Sequence, residues 1–132
     1  MTAIRNLNPV EAYAALQADA NAILLDVRDP LEFSFIGHPL GAVSLPWKLA
    51  PDWRPNPDFL ARARQLVPNP NTPVYLLCRS GQRSLDAAKA LEAAGYHALV
   101  NIEEGFEGAL DEQRHRGTLG GWRCHGLPWE QS

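Results

Sequence analysis

The sequence predicts a three-layer α/β domain, with a central, mostly parallel sheet and helices on both faces. Three observations lead there. Apolar runs of strand length recur at residues 22–27, 74–77 and 97–102, and such runs are typical of parallel strands buried on both sides. Between them lie stretches whose apolar residues follow helical spacing, and an alternating order of this kind places ligands at the C-terminal ends of the strands. The chain has 132 residues, 45% hydrophobic and 20% charged, which suits one core over residues 1–132 without staples.

Taken in order, Asn8-Pro9-Val10-Glu11 reads as a helix start. Asn8 is the cap, Pro9 the first helical residue, and Glu11 closes a capping box. Tyr13 and Leu16 share a face of that helix. The run 22–27 ends in Asp26-Val27-Arg28, and Asp29-Pro30-Leu31-Glu32 opens a second helix by the same logic. Asp26 and Arg28 are read as supports: Arg28 pairs with Glu32 or Asp29, and Asp26 accepts N–H groups from a neighbouring loop. His38, in Gly37-His38-Pro39, reads as a hydrogen-bonded turn residue. Residues 42–46 form a short strand closed by proline, and 47–55 are irregular; Trp47 and Trp53 either pack over the sheet edge, the favoured reading, or form an apolar wall of the pocket.

Asn56-Pro57 starts a helix with Phe59, Ala63 and Leu66 on one stripe, ended by Pro68-Asn69-Pro70-Asn71. After the strand 74–77, residues 84–95 read as a helix with Leu85, Ala88 and Leu91 facing the sheet and Gly95 as its cap. Residues 97–102 are the next strand, and Glu103-Glu104-Gly105-Phe106 turns the chain back across the face where Cys78 emerges.

The chemistry concentrates in Cys78-Arg79-Ser80-Gly81-Gln82-Arg83-Ser84. A loop leading into a helix N-terminus turns unpaired backbone N–H groups inward, and the helix dipole adds roughly half a positive charge. That setting, with two arginines near, favours the thiolate, the nucleophilic form of cysteine. A lone cysteine closing an apolar strand is more often an inert core residue. The polar loop, with a glycine where the backbone must turn, is what a structural cysteine does not need.

These residues resemble the active loop of single-domain rhodaneses. The similarity extends to Leu25-Asp26-Val27-Arg28-Asp29-Pro30-Leu31-Glu32-Phe33, to Gly37-His38-Pro39-Leu40-Gly41-Ala42 and to Gly126-Leu127-Pro128. The resemblance implies a sulfurtransferase. Cys78 would accept sulfane sulfur from thiosulfate or a related small anionic donor as a persulfide. It would then pass the sulfur to cyanide, a thiol or a protein acceptor, with no metal or organic cofactor. Backbone N–H groups from Arg79 to Ser84 would solvate the anionic sulfur, and Arg79 and Arg83 would attract the donor, unless one of them folds back onto Asp26 or Glu32 as structural support. A non-enzymatic sulfur-relay or interaction module is the alternative. A cysteine phosphatase or arsenate reductase is disfavoured, because only four residues separate Cys78 from Arg83 and Leu77 precedes the cysteine.

Composition narrows the partners further. A net charge of −3, with no lysine-arginine block, argues against nucleic acid. The residues from Met1 to Asn6 lack the apolar core of a signal peptide, and no apolar run is long enough to cross a bilayer, so a cytoplasmic location is expected. Cys78 and Cys124 make neither a disulfide framework nor a metal spacing. The part at about 107–132 departs from the family plan: 107–120 reads as a solvated insertion, rich in charge and glycine.

Overall fold

The computed structural model describes residues 4–132. Five parallel strands form the sheet, in the order β1 (Ile4–Leu7), β8 (Leu99–Ile102), β7 (Val74–Leu77), β2 (Ile23–Asp26) and β4 (Val43–Ser44). Alternation along the strands divides the core in two. Leu25, Val74, Leu76 and Leu99 face α2 (Phe59–Leu66) and α3 (Gln82–Ala93) through Phe59, Ala63, Ala87, Ala88 and Leu91. Leu24, Tyr75, Leu77, Val100 and Ile102 face the other way, toward Ala12 of α1 (Pro9–Ala18) and toward Phe106 and Trp122. The expected three layers are present.

Local chemistry explains the helix starts. The Asn8 side chain accepts from the Glu11 N–H at 2.8 Å, and Glu11 accepts in return from the Asn8 N–H at 3.2 Å, which closes the capping box. At Asp29, Asp29 Oδ1 accepts from the Leu31 N–H and Glu32 from the Asp29 N–H, but the expected helix is only a π-helical turn, Glu32–Ile36. Gly37, at φ 115, ends it before a second regular turn forms. His38 then enters β3 (His38–Pro39), antiparallel to β9 (Trp129–Glu130). Its ring stacks on Phe33 at 3.8 Å and hydrogen-bonds the Phe33 carbonyl at 2.9 Å.

Several boundaries differ from the sequence expectation. Residues 4–7 are a strand on the sheet edge, where nothing was expected. Helix α3 begins at Gln82, two residues earlier than the pattern suggests, with Gly81, at φ 117, as its N-cap, and ends at Ala93, with Ala94 as its C-cap. Its buried face is Ser84, Ala87, Ala88 and Leu91, with Leu85 half-buried. The stretch 47–55 contains a small hairpin, β5 (Lys48–Leu49) with β6 (Arg54–Pro55). The segment 107–120 is exposed only in its middle. Gly108 and Gly120 are buried against each other, and a Cβ on Gly108 would collide with the Gly120 carbonyl.

Candidate active site

Cys78 follows β7, flanked in the sheet by β8 and β2, and the chain then bends into α3. Its side chain is 1% exposed. The Gly81 N–H donates to Sγ at 3.1 Å, and the Ser84 hydroxyl lies 3.3 Å from it. A left-handed backbone at Gly81 turns that N–H inward, a conformation glycine adopts without a Cβ clash. Of the backbone donors expected from Arg79 to Ser84, among the described residues the one at Gly81 is aimed at the sulfur. The 12-residue helix α3 adds the positive end of its dipole.

Ser84 is the surprise of the cradle. It is fully buried, and its oxygen lies 2.5 Å from Asn101 Oδ1 and 3.2 Å from the Gly81 carbonyl. Asn101, on β8, donates its amide to Asn6 Oδ1 at 3.1 Å. A buried polar chain therefore runs from the sulfur through Ser84 and Asn101 to Asn6 at the sheet edge. A hydroxyl carries one proton. The short Asn101 contact claims it in this arrangement, so Ser84 offers Cys78 an acceptor for a thiol proton, and must turn to donate to an anionic sulfur. Asn101 was not singled out from sequence, although a polar residue inside an otherwise apolar strand was the signal that could have found it.

The loop is braced from the other side of the sheet's C-terminal edge. Phe106 donates its N–H to the Cys78 carbonyl at 2.8 Å, while the Glu107 and Gly108 N–H groups reach the Arg79 carbonyl at 3.0 and 3.2 Å. Gly105 allows this approach: a Cβ there would collide with the Cys78 and Arg79 carbonyls. The turn at 103–106 does cross the cysteine's face, as expected.

The supporting residues sort into two pairs. Arg28 does not reach Glu32 or Asp29. It folds back two residues onto Asp26, with Nε to Oδ1 at 2.9 Å and Nη2 to Oδ2 at 2.6 Å, and Nη2 also donates to the Gly37 carbonyl. Both side chains are fully buried, and the Arg28 guanidinium lies 4.6 Å from the centre of the Phe106 ring. Phe106 thus links this pair to the Cys78 carbonyl. Asp29 instead accepts from Ala50 N–H at 2.8 Å.

Glu32 pairs with Arg83 at 2.7 and 3.0 Å. Burial opposes the Glu32 charge, but the hydrogen bonds and charge of Arg83, with the Asp29 N–H and Arg28, outweigh it and lower its pKa. Burial likewise works against the Arg83 charge, yet Glu32, Cys78 and Asp26 raise its pKa. Of the two roles open to these arginines, drawing in a donor or folding back onto Asp26 or Glu32, Arg83 takes the second: its fork is already matched by a carboxylate.

Arg79, Ser80 and Gln82 are exposed on the outer side of the loop, and Gln82 bonds Asp86 at 3.1 Å. Over the loop opens a cleft of about 320 Å³ lined by Lys48, Trp53, Arg79 and Arg83. Trp47 packs edge-on against Phe59 at 5.0 Å, as expected of a core tryptophan. Trp53 lies outside the core, on the wall of this cleft. It is 44% exposed, with the Arg83 guanidinium 5.1 Å from its ring. Its φ of 55 is a conformation that costs a bulky residue about 1–3 kcal/mol. Among the described residues no group of histidine, cysteine and carboxylate side chains is arranged to hold a metal, and no helix is long and apolar enough to cross a membrane.

The Rhodanese-like domain pattern matches residues 9–112. The uncharacterized protein RC0915 of Rickettsia conorii is 32% identical over 132 residues, covering 96% of this chain and 98% of that protein. The crystal structure of Rv0390 from M. tuberculosis matches with a TM-score of 0.87 at 39% identity, over 96% of this chain and 97% of that one. The structure of thiosulfate sulfurtransferase from Pseudomonas aeruginosa matches with a TM-score of 0.67 at 26% identity; it covers 97% of this chain, which spans 20% of that larger one. With most of its length matched by the family pattern and a relative aligned end to end, the chain belongs to the rhodanese-like domain family.

Proposed function

We propose that this protein is a sulfurtransferase that carries sulfane sulfur on Cys78. The observation that carries the reading is the cradle itself: a buried sulfur at a helix N-terminus, with the Gly81 N–H aimed at it and a hydroxyl beside it. The Gly81 N–H stabilises an anionic sulfur where it forms, and the Ser84 hydroxyl joins it on turning from Asn101. The likeness to a thiosulfate sulfurtransferase supports the same chemistry.

In the first half-reaction the Cys78 thiolate attacks the outer sulfur of thiosulfate. A new S–S bond forms, the S–S bond of thiosulfate breaks, and sulfite leaves with its electron pair. In the second, an acceptor takes the outer sulfur and Cys78 returns as thiolate. The Asp26–Arg28 pair, through Phe106, and the Glu107 and Gly108 amides hold the loop so that the cradle is formed before sulfur arrives.

The test is intact-protein mass spectrometry. Thiosulfate treatment should add one sulfur atom, peptide mapping should place it on the peptide containing Cys78, and cyanide should remove it as thiocyanate. Cys78→Ser should gain none. If reduced, folded protein acquires no cyanide-labile sulfur from thiosulfate, polysulfide or a persulfide donor, the sulfurtransferase reading fails and a docking module replaces it.

A further inference from the structure

We propose that the cleft over the active loop is an acceptor site for a small organic thiol bearing carboxylates, with Lys48 and Arg79 as its anion-binding walls and Trp53 as its apolar wall. The proposal rests on the sulfurtransferase reading and names the partner of its second half-reaction.

The cleft's charge is the first ground. Four side chains line it, three of them cationic. Arg83 is matched by Glu32 through two hydrogen bonds, so its charge is largely cancelled. Asp52, in the same hairpin as Lys48, is taken by Arg54 at 3.1 Å. Among the described residues Lys48 and Arg79 make no ion pair. Two uncompensated cations therefore face one space, and that space selects anions.

Size is the second ground. Small-molecule sites occupy about 300–1,000 Å³, and this cleft, at about 320 Å³, falls within that range. A small inorganic anion such as thiosulfate or sulfite fills little of it. An organic body fits the remainder, and an exposed indole offers it an apolar face. Trp53 is held there at φ 55 with Arg83 against its ring, an arrangement that packing of the core does not require. Backbone strain kept at an exposed aromatic residue is a mark of a ligand-contacting position.

The transfer step gives the charge a purpose. An acceptor thiolate attacks the outer sulfur of the Cys78 persulfide. The new S–S bond joins the acceptor sulfur to that outer sulfur, the bond to Cys78 Sγ breaks, and its electron pair remains on Sγ as thiolate. The acceptor leaves as a persulfide anion, with no external oxidant or reductant. Two sulfur anions must meet in this step, and the Lys48 and Arg79 charges offset their repulsion as well as holding the carboxylates.

Two measurements test the site. In the first, protein loaded with sulfur on Cys78 is isolated and discharged by mercaptosuccinate, a dicarboxylate thiol, or by neutral 2-mercaptoethanol, each rate being corrected for its thiolate fraction. Wild type should prefer mercaptosuccinate, and Lys48→Gln or Arg79→Gln should each reduce that preference about fivefold, the size expected of solvent-accessible charges. The second measures binding of methylthiosuccinate, which cannot accept sulfur, by isothermal titration calorimetry of the unloaded protein. Binding should weaken in both charge variants and in Trp53→Phe, and persist in Cys78→Ser. A preference ratio that is the same in wild type and in Lys48→Gln/Arg79→Gln, or no binding of methylthiosuccinate, overturns the proposal while leaving Cys78 persulfide formation standing. Binding without any persulfide would overturn the sulfurtransferase reading and keep the anion site.

Discussion

Two arginine–carboxylate pairs flank the sulfur loop, and they differ in depth. Asp26–Arg28 is sealed, with both side chains at 0% exposure, while Arg83–Glu32 retains 17% and 13%. The first is fixed by a bidentate fork, the Gly37 carbonyl and the Phe106 ring, though its Nη1 has no hydrogen-bond partner among the described residues. The second closes a contact between residues 51 apart in sequence and borders the cleft. Identical functional groups thus do different work. The sealed pair holds architecture, because neither ion can be left alone without water. The rim pair sets how much positive charge an entering anion meets.

The largest effect is expected from breaking the sealed pair. Arg28→Met leaves the Asp26 carboxylate buried and unmatched, which costs about 3–5 kcal/mol. At roughly 4 °C per kcal/mol for a domain of this size, thermal unfolding should begin about 12–20 °C lower. Asp26→Leu/Arg28→Met removes both charges and should recover most of that loss. A single variant that melts with wild type would show that water reaches Asp26, and the contrast between the pairs would collapse.

A smaller, more discriminating effect is expected at the rim. Arg83→Ala exposes the loop to an unmatched Glu32 charge and should raise the thiosulfate KM about tenfold, or about 1.4 kcal/mol. Adding Glu32→Gln removes that charge and should restore most of the KM. If the double variant stays as impaired as Arg83→Ala, Arg83 contacts the donor directly, and the pair is not a screening device.

What the sequence made legible follows the same division between local and distant. The capping box at Asn8, the apolar strand 74–77 and the cysteine loop are written within a few residues, so pattern alone located them. Strand β1 escaped because Arg5 and Asn6, exposed between Ile4 and Leu7, leave only four residues of pattern on an edge. The Glu32–Arg83 fork and the Ser84–Asn101–Asn6 chain join segments far apart, and no local spacing announces them. Arg28 was legible as a buried charge in need of a partner, yet the partner chosen lay two residues back, where the chain's bend after β2 brings the carboxylate under the guanidinium. For Trp53 the sequence left packing and a pocket wall both open and favoured packing, since tryptophans usually bury; the left-handed backbone and the Arg83 guanidinium beside its ring at the cleft are tertiary facts.

The smallest effect separates the two pairs by acid. Glu32 has a folded-state pKa below its ordinary 4.5, since Arg83 outweighs the opposing effect of burial. A lowered folded pKa means that the unfolded chain binds its proton first, so the contribution to stability is complete above the unfolded value and is lost as pH falls through the folded one. Between neutral pH and about pH 5 the rim pair should therefore contribute a constant amount. Below about 4.5 the wild type should lose stability more steeply than Glu32→Gln, whose amide does not titrate, and the two curves should converge. Chemical denaturation at closely spaced pH values measures this. Parallel curves through the acid range would show that Arg83 does not hold the Glu32 proton off, and the rim pair would then be no more than two charges in proximity.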